Sequence, residues 1–206
     1  MPTPTEQFAV ALKLHAHDFG VELAVEQIAA LQDYYALLLK WNPRLHLVAP
    51  CTPEEFATRH VLEALLLLKH LPPSMTLADI GSGGGLPIIP CLIARDDLRA
   101  DLIEASQKKC VFLKEALRTV QREDHSAVLN RRFETALAPD AQFVTCRALD
   151  KFEELLPSII KWAPVDATFL FFVGDAVKAR IERELTNTQF ERVPLSEKRF
   201  LVIARQ

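Results

Sequence analysis

The stretch L-A-D-I-G-S-G-G-G-L-P-I-I-P, from Leu77 to Pro90, constrains this chain more than any other. Four of the six glycines, Gly81, Gly83, Gly84 and Gly85, fall within it. Glycine gives up more backbone entropy on folding than any other residue, so this density signals a backbone that must turn tightly and come close to a ligand. Its place, after a short apolar run and before a helical pattern, is the strand-to-helix turn at which open α/β sheets hold their ligands. A phosphate-binding P-loop would need a lysine after the last glycine, and none follows. A dinucleotide fingerprint starting at Gly81 would need its third glycine at position 86, where Leu86 stands.

What remains is D-x-G-x-G-x-G over Asp79 to Gly85, the form of the first motif of methyltransferases that use S-adenosylmethionine. An acidic partner follows at Glu104 in D-L-I-E-A-S, near the end of a second predicted strand, where a carboxylate can accept hydrogen bonds from ribose hydroxyls. Asp79, Gly81, Ser82, Gly83, Gly85 and Glu104 are therefore cofactor-site candidates.

At 206 residues, half of them apolar, the chain can bury a sizeable core, and one domain with an extension is expected. A net charge of -3 argues against a uniformly basic nucleic-acid binder and leaves room for a local basic groove. Cys51, Cys91, Cys110 and Cys146 are scattered, with no C-x-x-C pair and no histidine at ligand spacing, so no metal site is expected. The first residues lack a basic signal-peptide start, and apolar runs such as Leu65 to Leu68 fall short of the ~18 residues that span a bilayer. A cytoplasmic protein without membrane contact, working as a monomer, is the expectation.

Residues 1–73 read as a helical extension and 74–206 as the methyltransferase core. Helical periodicity runs from Phe8 to a stop at Gly20, then from Leu23 to Trp41 with Pro43 as the terminator. A third helix is predicted from an N-cap at Thr52, Pro53 at its first position and Glu55 closing a capping box, on through Phe56, His60, Leu62 and Leu66. Pro72 and Pro73 mark the boundary. Beyond it, strands are predicted at 76–80, 100–104, 127–129, 143–147, 167–173, 189–193 and 200–204, with helices at 86–95, 107–121, 152–162 and 177–185. That order predicts an α/β, doubly wound, mostly parallel seven-stranded sheet of the Rossmann-like methyltransferase class, with its ligand along the carboxyl ends of the strands.

Taken in order, W-N-P-R-L-H-L from Trp41, R-H-V-L-E-A-L from Arg59, D-I-G-S-G-G-G-L-P-I-I-P from Asp79, K-K-C-V-F-L from Lys108 and C-R-A-L from Cys146 resemble the glucose-inhibited division protein B family. The resemblance covers nearly the whole chain. It implies transfer of a methyl group from S-adenosylmethionine to N7 of a guanine in small-subunit ribosomal RNA, with that RNA or the assembling subunit as partner. It further implies that Gly81 and Leu86 contact the cofactor, that Phe133 and Glu134 hold its adenine end, and that Arg147 lies at the mouth of the site. Ile88 stands where the family usually has glycine, His46 and Val48 where it has asparagine and threonine, and Val173 where a lysine is common.

Lys108 and Lys109 open a helix, where positive charge opposes the helix dipole, and with Arg147 they are candidates for contact with RNA phosphates. Arg131 and Arg132 read as surface charge, His60 as a structural residue, Trp41 as a packing residue and Cys146 as a small core residue. No general base is expected, because guanine N7 carries no proton; Arg147 is given a positioning role. Two alternatives remain open at this point: a methyltransferase of the same fold acting on a small molecule or protein, and a binding module without catalysis.

Overall fold

The computed structural model describes residues 1–136 and 140–206. The chain opens with α1 (Pro4–His15), started by a capping box between Thr3 and Glu6 and closed through a 3-10 turn onto Gly20 at φ +64°. Helix α2 (Val25–Leu45) follows. Pro43 does not end it, as the sequence predicts; the helix runs on to Leu45 and stops at His46, whose φ is +48°. A proline so close to a terminus removes one hydrogen bond of the last turns, and Asn42 compensates by exchanging two side-chain bonds with the backbone of Val48, at 3.0 and 3.1 Å.

The third predicted helix is a composite. α3 (Pro53–Phe56), capped by Thr52 and Glu55 as expected, passes into a π-helical segment, Ala57–Leu62, then α4 (Glu63–Leu65) and a 3-10 turn to His70. Wider π winding appears in single turns inside helices and takes carbonyls out of the α-helical ladder. Two of those carbonyls matter below.

The rest of the chain alternates β1 (Thr76–Ile80), α5 (Ile88–Ala94), β2 (Arg99–Glu104), α6 (Gln107–Thr119), β3 (Ser126–Asn130), β4 (Phe143–Arg147), α7 (Phe152–Trp162), β5 (Thr168–Gly174), α8 (Lys178–Glu184), β6 (Thr186–Arg192) and β7 (Arg199–Arg205). The seven strands form one sheet in the order β3-β2-β1-β4-β5-β7-β6. All pairs are parallel except those of β7, which inserts antiparallel between β5 and β6. The order reverses between β2-β1 and β4, which puts a crevice at the carboxyl end of β1.

Side chains of a strand alternate between faces. Leu77, Leu102, Phe143, Leu170 and Leu201 enter a core shared with Phe8, Leu38, Phe56, Leu65, Ile89 and Phe112, so the N-terminal helices, α5 and α6 cover one face. Ala78, Ile103, Val144, Phe169, Phe171 and Val202 face the other way, onto Leu156, Ile159 and Ile181 of α7 and α8. By the same alternation, Asp79, Glu104, Thr145 and Arg147 lie on the face covered by the N-terminal helices. Among the described residues no helix is long and apolar enough to cross a membrane.

Candidate cofactor and acceptor site

The glycine loop leaves β1 as Gly81 and enters α5 after Pro87. Gly81, Gly83 and Gly85 all take positive φ, +70°, +51° and +82°, conformations that side chains other than glycine rarely adopt. A Cβ on Gly81 would lie 2.9 Å from Leu149 Cδ1, and one on Gly85 would collide with Ile89 of the helix that follows. The first glycine thus lets the loop pass close to the chain after β4, and the last lets the helix start against the sheet.

The loop is held from two directions. Glu104, 8% exposed, accepts from Gly83 N at 2.9 Å and from Ser106 N at 2.7 Å, tying the loop to the start of α6. Tyr34, wholly buried in α2, donates its hydroxyl to the Gly84 carbonyl at 2.5 Å. The sequence marked Glu104 as a ligand carboxylate; in the structure its first contacts brace the loop. Tyr34 was invisible as a loop contact because it lies 50 residues upstream.

Asp79 is 1% exposed, and neither of its carboxylate oxygens has a hydrogen-bond partner among the described residues. Burial pushes its carboxyl well above the usual carboxylate range, outweighing the lowering effect of the neighbouring Ser82 hydroxyl, and the nearby Glu104 adds to the rise. Its register partner across the strand pair, Thr145, has an equally unpartnered hydroxyl. Ser82 donates instead to the Asp79 main-chain carbonyl at 3.0 Å.

A cleft of 360 Å³ lies on the β2 side of the loop, lined by Gly81, Glu104, Lys109, Phe133, Glu134 and Leu149 among others. Phe133 is buried, its ring edge-on to Trp162 at 5.8 Å, while Glu134 is exposed on the same short turn. A second cleft, of 310 Å³, opens toward the N-terminal section, between Leu47 to Ala49, His60, Gly81 to Gly84, Leu86, Lys109 and Arg147. The two clefts share Gly81, Lys109 and Ala148. Asp79 and Gly85 are buried and line neither cleft, and the buried Ser82 lines the second.

Arg147 ends β4 with its side chain only 11% exposed. It donates to the carbonyls of His60, at 3.1 Å, and Arg59, both in the π-helical segment, and lies 3.4 Å from Glu63. Glu63 also faces Arg199 at 2.7 Å, and Phe172 lies under the Arg147 guanidinium at 5.6 Å. Burial outweighs the charges of Arg147, Arg199 and Arg59 and holds the Glu63 carboxyl above its ordinary range. Sequence reading missed Glu63 and Arg199: each is an ordinary charged residue until the fold brings 63, 147 and 199 together.

Lys109 lines both clefts, whereas its neighbour Lys108 is exposed on the outer side of α6 and lines neither. Arg131 and Arg132 line the first cleft rather than serving only as surface charge. Trp41 packs edge-on against Phe112 of α6 at 6.2 Å, and Cys146 is buried. Val173, in β5, and Ile88, at the start of α5, are buried core residues. Val48 lines the second cleft, and His46 is the exposed cap of α2. His60 is half-buried, with its ring 5.3 Å from Phe56. Burial and the charges of Arg147, Arg59 and Arg199 push its imidazole down to about 3.

The family described as GidB, rRNA small subunit methyltransferase G, matches residues 27–204. The chain belongs to this family. Its similarity to individual members runs nearly end to end: it is 35% identical over 194 residues to a ribosomal RNA small subunit methyltransferase G of Sorangium cellulosum, covering 91% of this chain and 78% of the relative. With the protein of that name from Pelotomaculum thermopropionicum it shares 29% over 215 residues, 96% of this chain and 90% of the relative. Two solved structures carry the same fold at low identity. They are the tRNA (m1A58) methyltransferase TrmI from Aquifex aeolicus, with TM-score 0.55, 12% identity and 70% and 68% of the two chains covered, and the mitomycin 7-O-methyltransferase MmcR, with TM-score 0.61, 14% identity and 100% and 74% covered. The chain is thus an S-adenosylmethionine-dependent methyltransferase of the ribosomal RNA class, and the two alternatives left open by the sequence are not favoured.

The residues present fit that cofactor. The glycine cradle leaves no room for a Cβ at Gly81, and the adjoining cleft offers the Glu104 carboxylate and the Phe133 ring.

Proposed function

We propose that this protein methylates N7 of a guanine in small-subunit ribosomal RNA, in the cytoplasm where small subunits assemble. S-adenosylmethionine supplies a methyl group made electrophilic by its sulfonium. Gly81, Leu86 and the braced Glu104 would hold it, with Phe133 and Glu134 at its adenine end and Arg147 lining the second cleft.

The observation that carries the N7 assignment is the poverty of bases in the second cleft. The second cleft has no carboxylate among its described lining residues, and its one imidazole, His60, is kept at about 3. General-base efficiency falls as the base's pKa drops away from the operating pH, so this cleft suits an acceptor that has no proton to lose. Guanine N7 is such an acceptor, a lone pair on the edge of the base. The chain's work is then to hold that edge at about 3–3.5 Å from the methyl group and to tolerate positive charge on the purine.

The test is chemical cleavage at 7-methylguanosine in ribosomal RNA from cells with and without the protein. One cleavage product that disappears in its absence and returns when purified protein and S-adenosylmethionine are added to those subunits is the expected result. An unchanged pattern defeats the N7 reading.

A further inference from the structure

We infer that the cleft between Val48, His60 and the glycine loop seats the acceptor base, and that the His60 side chain hydrogen-bonds the edge of that base. The inference rests on the N7 reading and assigns one residue within it.

Position comes first. The cleft meets the cofactor cleft at Gly81, Lys109 and Ala148, so a base within it lies across the loop from whatever Glu104 and Phe133 hold. Leu47 and Val48 give it an apolar wall suited to a face of a purine, and the Asn42–Val48 bonds fix the loop that carries them. Enzymes that modify bases commonly take the target nucleotide out of its stack into such a recess.

His60 is the only ring among the described lining residues. Its ring rests on Phe56, which stacks on Tyr35 at 4.5 Å and meets Phe8 at 5.7 Å, so the core of the N-terminal helices sets its place. No described residue hydrogen-bonds its ring, although its main-chain carbonyl is taken by Arg147. A neutral imidazole offers one N–H donor and one bare nitrogen. Guanine presents the O6 acceptor beside the N1–H donor, next to N7.

Charge explains why a neutral ring belongs here. Methylation of N7 moves a positive charge onto the purine, in a cleft that already holds Lys109 and Arg147. Burial and the surrounding arginines keep His60 uncharged, so it can bond the base without repelling the product. A bond accepted from the base's own N–H strengthens as the ring becomes cationic, which favours the transition state over the ground state.

The experiment compares wild type, His60→Ala and His60→Asn on small subunits lacking the modification, with the methylated guanine first mapped by cleavage. His60→Ala should slow single-turnover methyl transfer about 10- to 100-fold and leave S-adenosylmethionine affinity within about twofold, as read by calorimetry. His60→Asn, which keeps a donor and an acceptor, should recover part of the rate. Subunits reconstituted with 2-aminopurine at the target keep N7 but lack O6 and N1–H. Wild type should be slowed on them, and His60→Ala should add no further loss. An Ala variant as fast as wild type on guanine, or equally impaired on both bases, overturns the contact. Wild type that leaves every guanine unmodified overturns the N7 reading itself and this inference with it.

Discussion

Glu63 and Asp79 are each 1% exposed, and the molecule treats the two carboxyls in opposite ways. Glu63, where the N-terminal helices meet the sheet, faces Arg147 at 3.4 Å and Arg199 at 2.7 Å. Asp79, under the glycine loop, has no partner for either oxygen among the described residues. A buried carboxyl with two cations ties three chain segments together and decides where Arg147 can point. A buried carboxyl with none is costly to ionise, and burial holds Asp79 toward its neutral form. Glu104 stands between these cases, paired with main-chain N–H groups on both oxygens.

The largest effect should come from breaking the first arrangement. Glu63→Ala leaves two arginines facing a space without their carboxylate, and removing one member of a buried ionic group costs about 3–5 kcal/mol. Urea unfolding should show a loss of that size; a loss under about 1 kcal/mol would mean that Glu63 is not the tie described. Glu104→Ala comes next. It removes charge-assisted bonds that shape the loop and one of the carboxylates lining the cofactor cleft, so S-adenosylmethionine should bind more weakly by about 1.5–3 kcal/mol. Unchanged affinity in calorimetry would take Glu104 out of the site.

Tyr34→Phe sharpens the comparison from the helical side. It removes the bond to Gly84 and leaves that carbonyl buried, which should cost about 1–3 kcal/mol of stability and loosen cofactor binding without touching the cleft. Equal Tm and equal affinity would show that the loop holds its shape without α2.

Asp79 gives a subtler signature. Its carboxyl is raised in the folded state, so above the unfolded value of 3.8 the unfolded chain ionises first, and folding stability declines as pH rises toward the folded pKa. The slope is at most about 1.4 kcal/mol per pH unit. Asp79→Asn should remove that decline in the free protein. Identical pH dependence of Tm in the two proteins would show that Asp79 ionises freely.

The smallest effect is an expected flatness. With His60 held at about 3, single-turnover methyl transfer should not vary between pH 6 and pH 8.5. A tenfold climb per pH unit through this window would point to proton removal and against N7.

Much of the fold was legible because strands and helices carry their own periodicity. β1, β4 and α7 occupy the predicted positions, and the other strands differ only at their ends. The Thr52–Glu55 capping box was readable because it is a contact three residues long. Pro43 was misread as a terminator because its cost depends on how many helical bonds remain after it, and on a side-chain exchange with Val48 that periodicity does not show. The π segment was read as ordinary helix for a similar reason: its carbonyls are taken up by Arg147, 87 and 88 residues away.

The sequence by itself determined the glycine loop, the acid at 104, the succession of strands and helices and the class of chemistry, since each is written in neighbouring residues whose backbone demands are local. Only the tertiary structure decided what the charges do. It joined Glu63 to Arg147 and Arg199, left Asp79 unpartnered, put Lys109 rather than Lys108 on the clefts, and brought His60 to the loop. Those outcomes depend on burial and on distances between segments far apart in the chain. In a buried setting Coulomb and desolvation energies are large, so a few ångströms decide whether a charged side chain ties the fold together, stays neutral or lines a cleft.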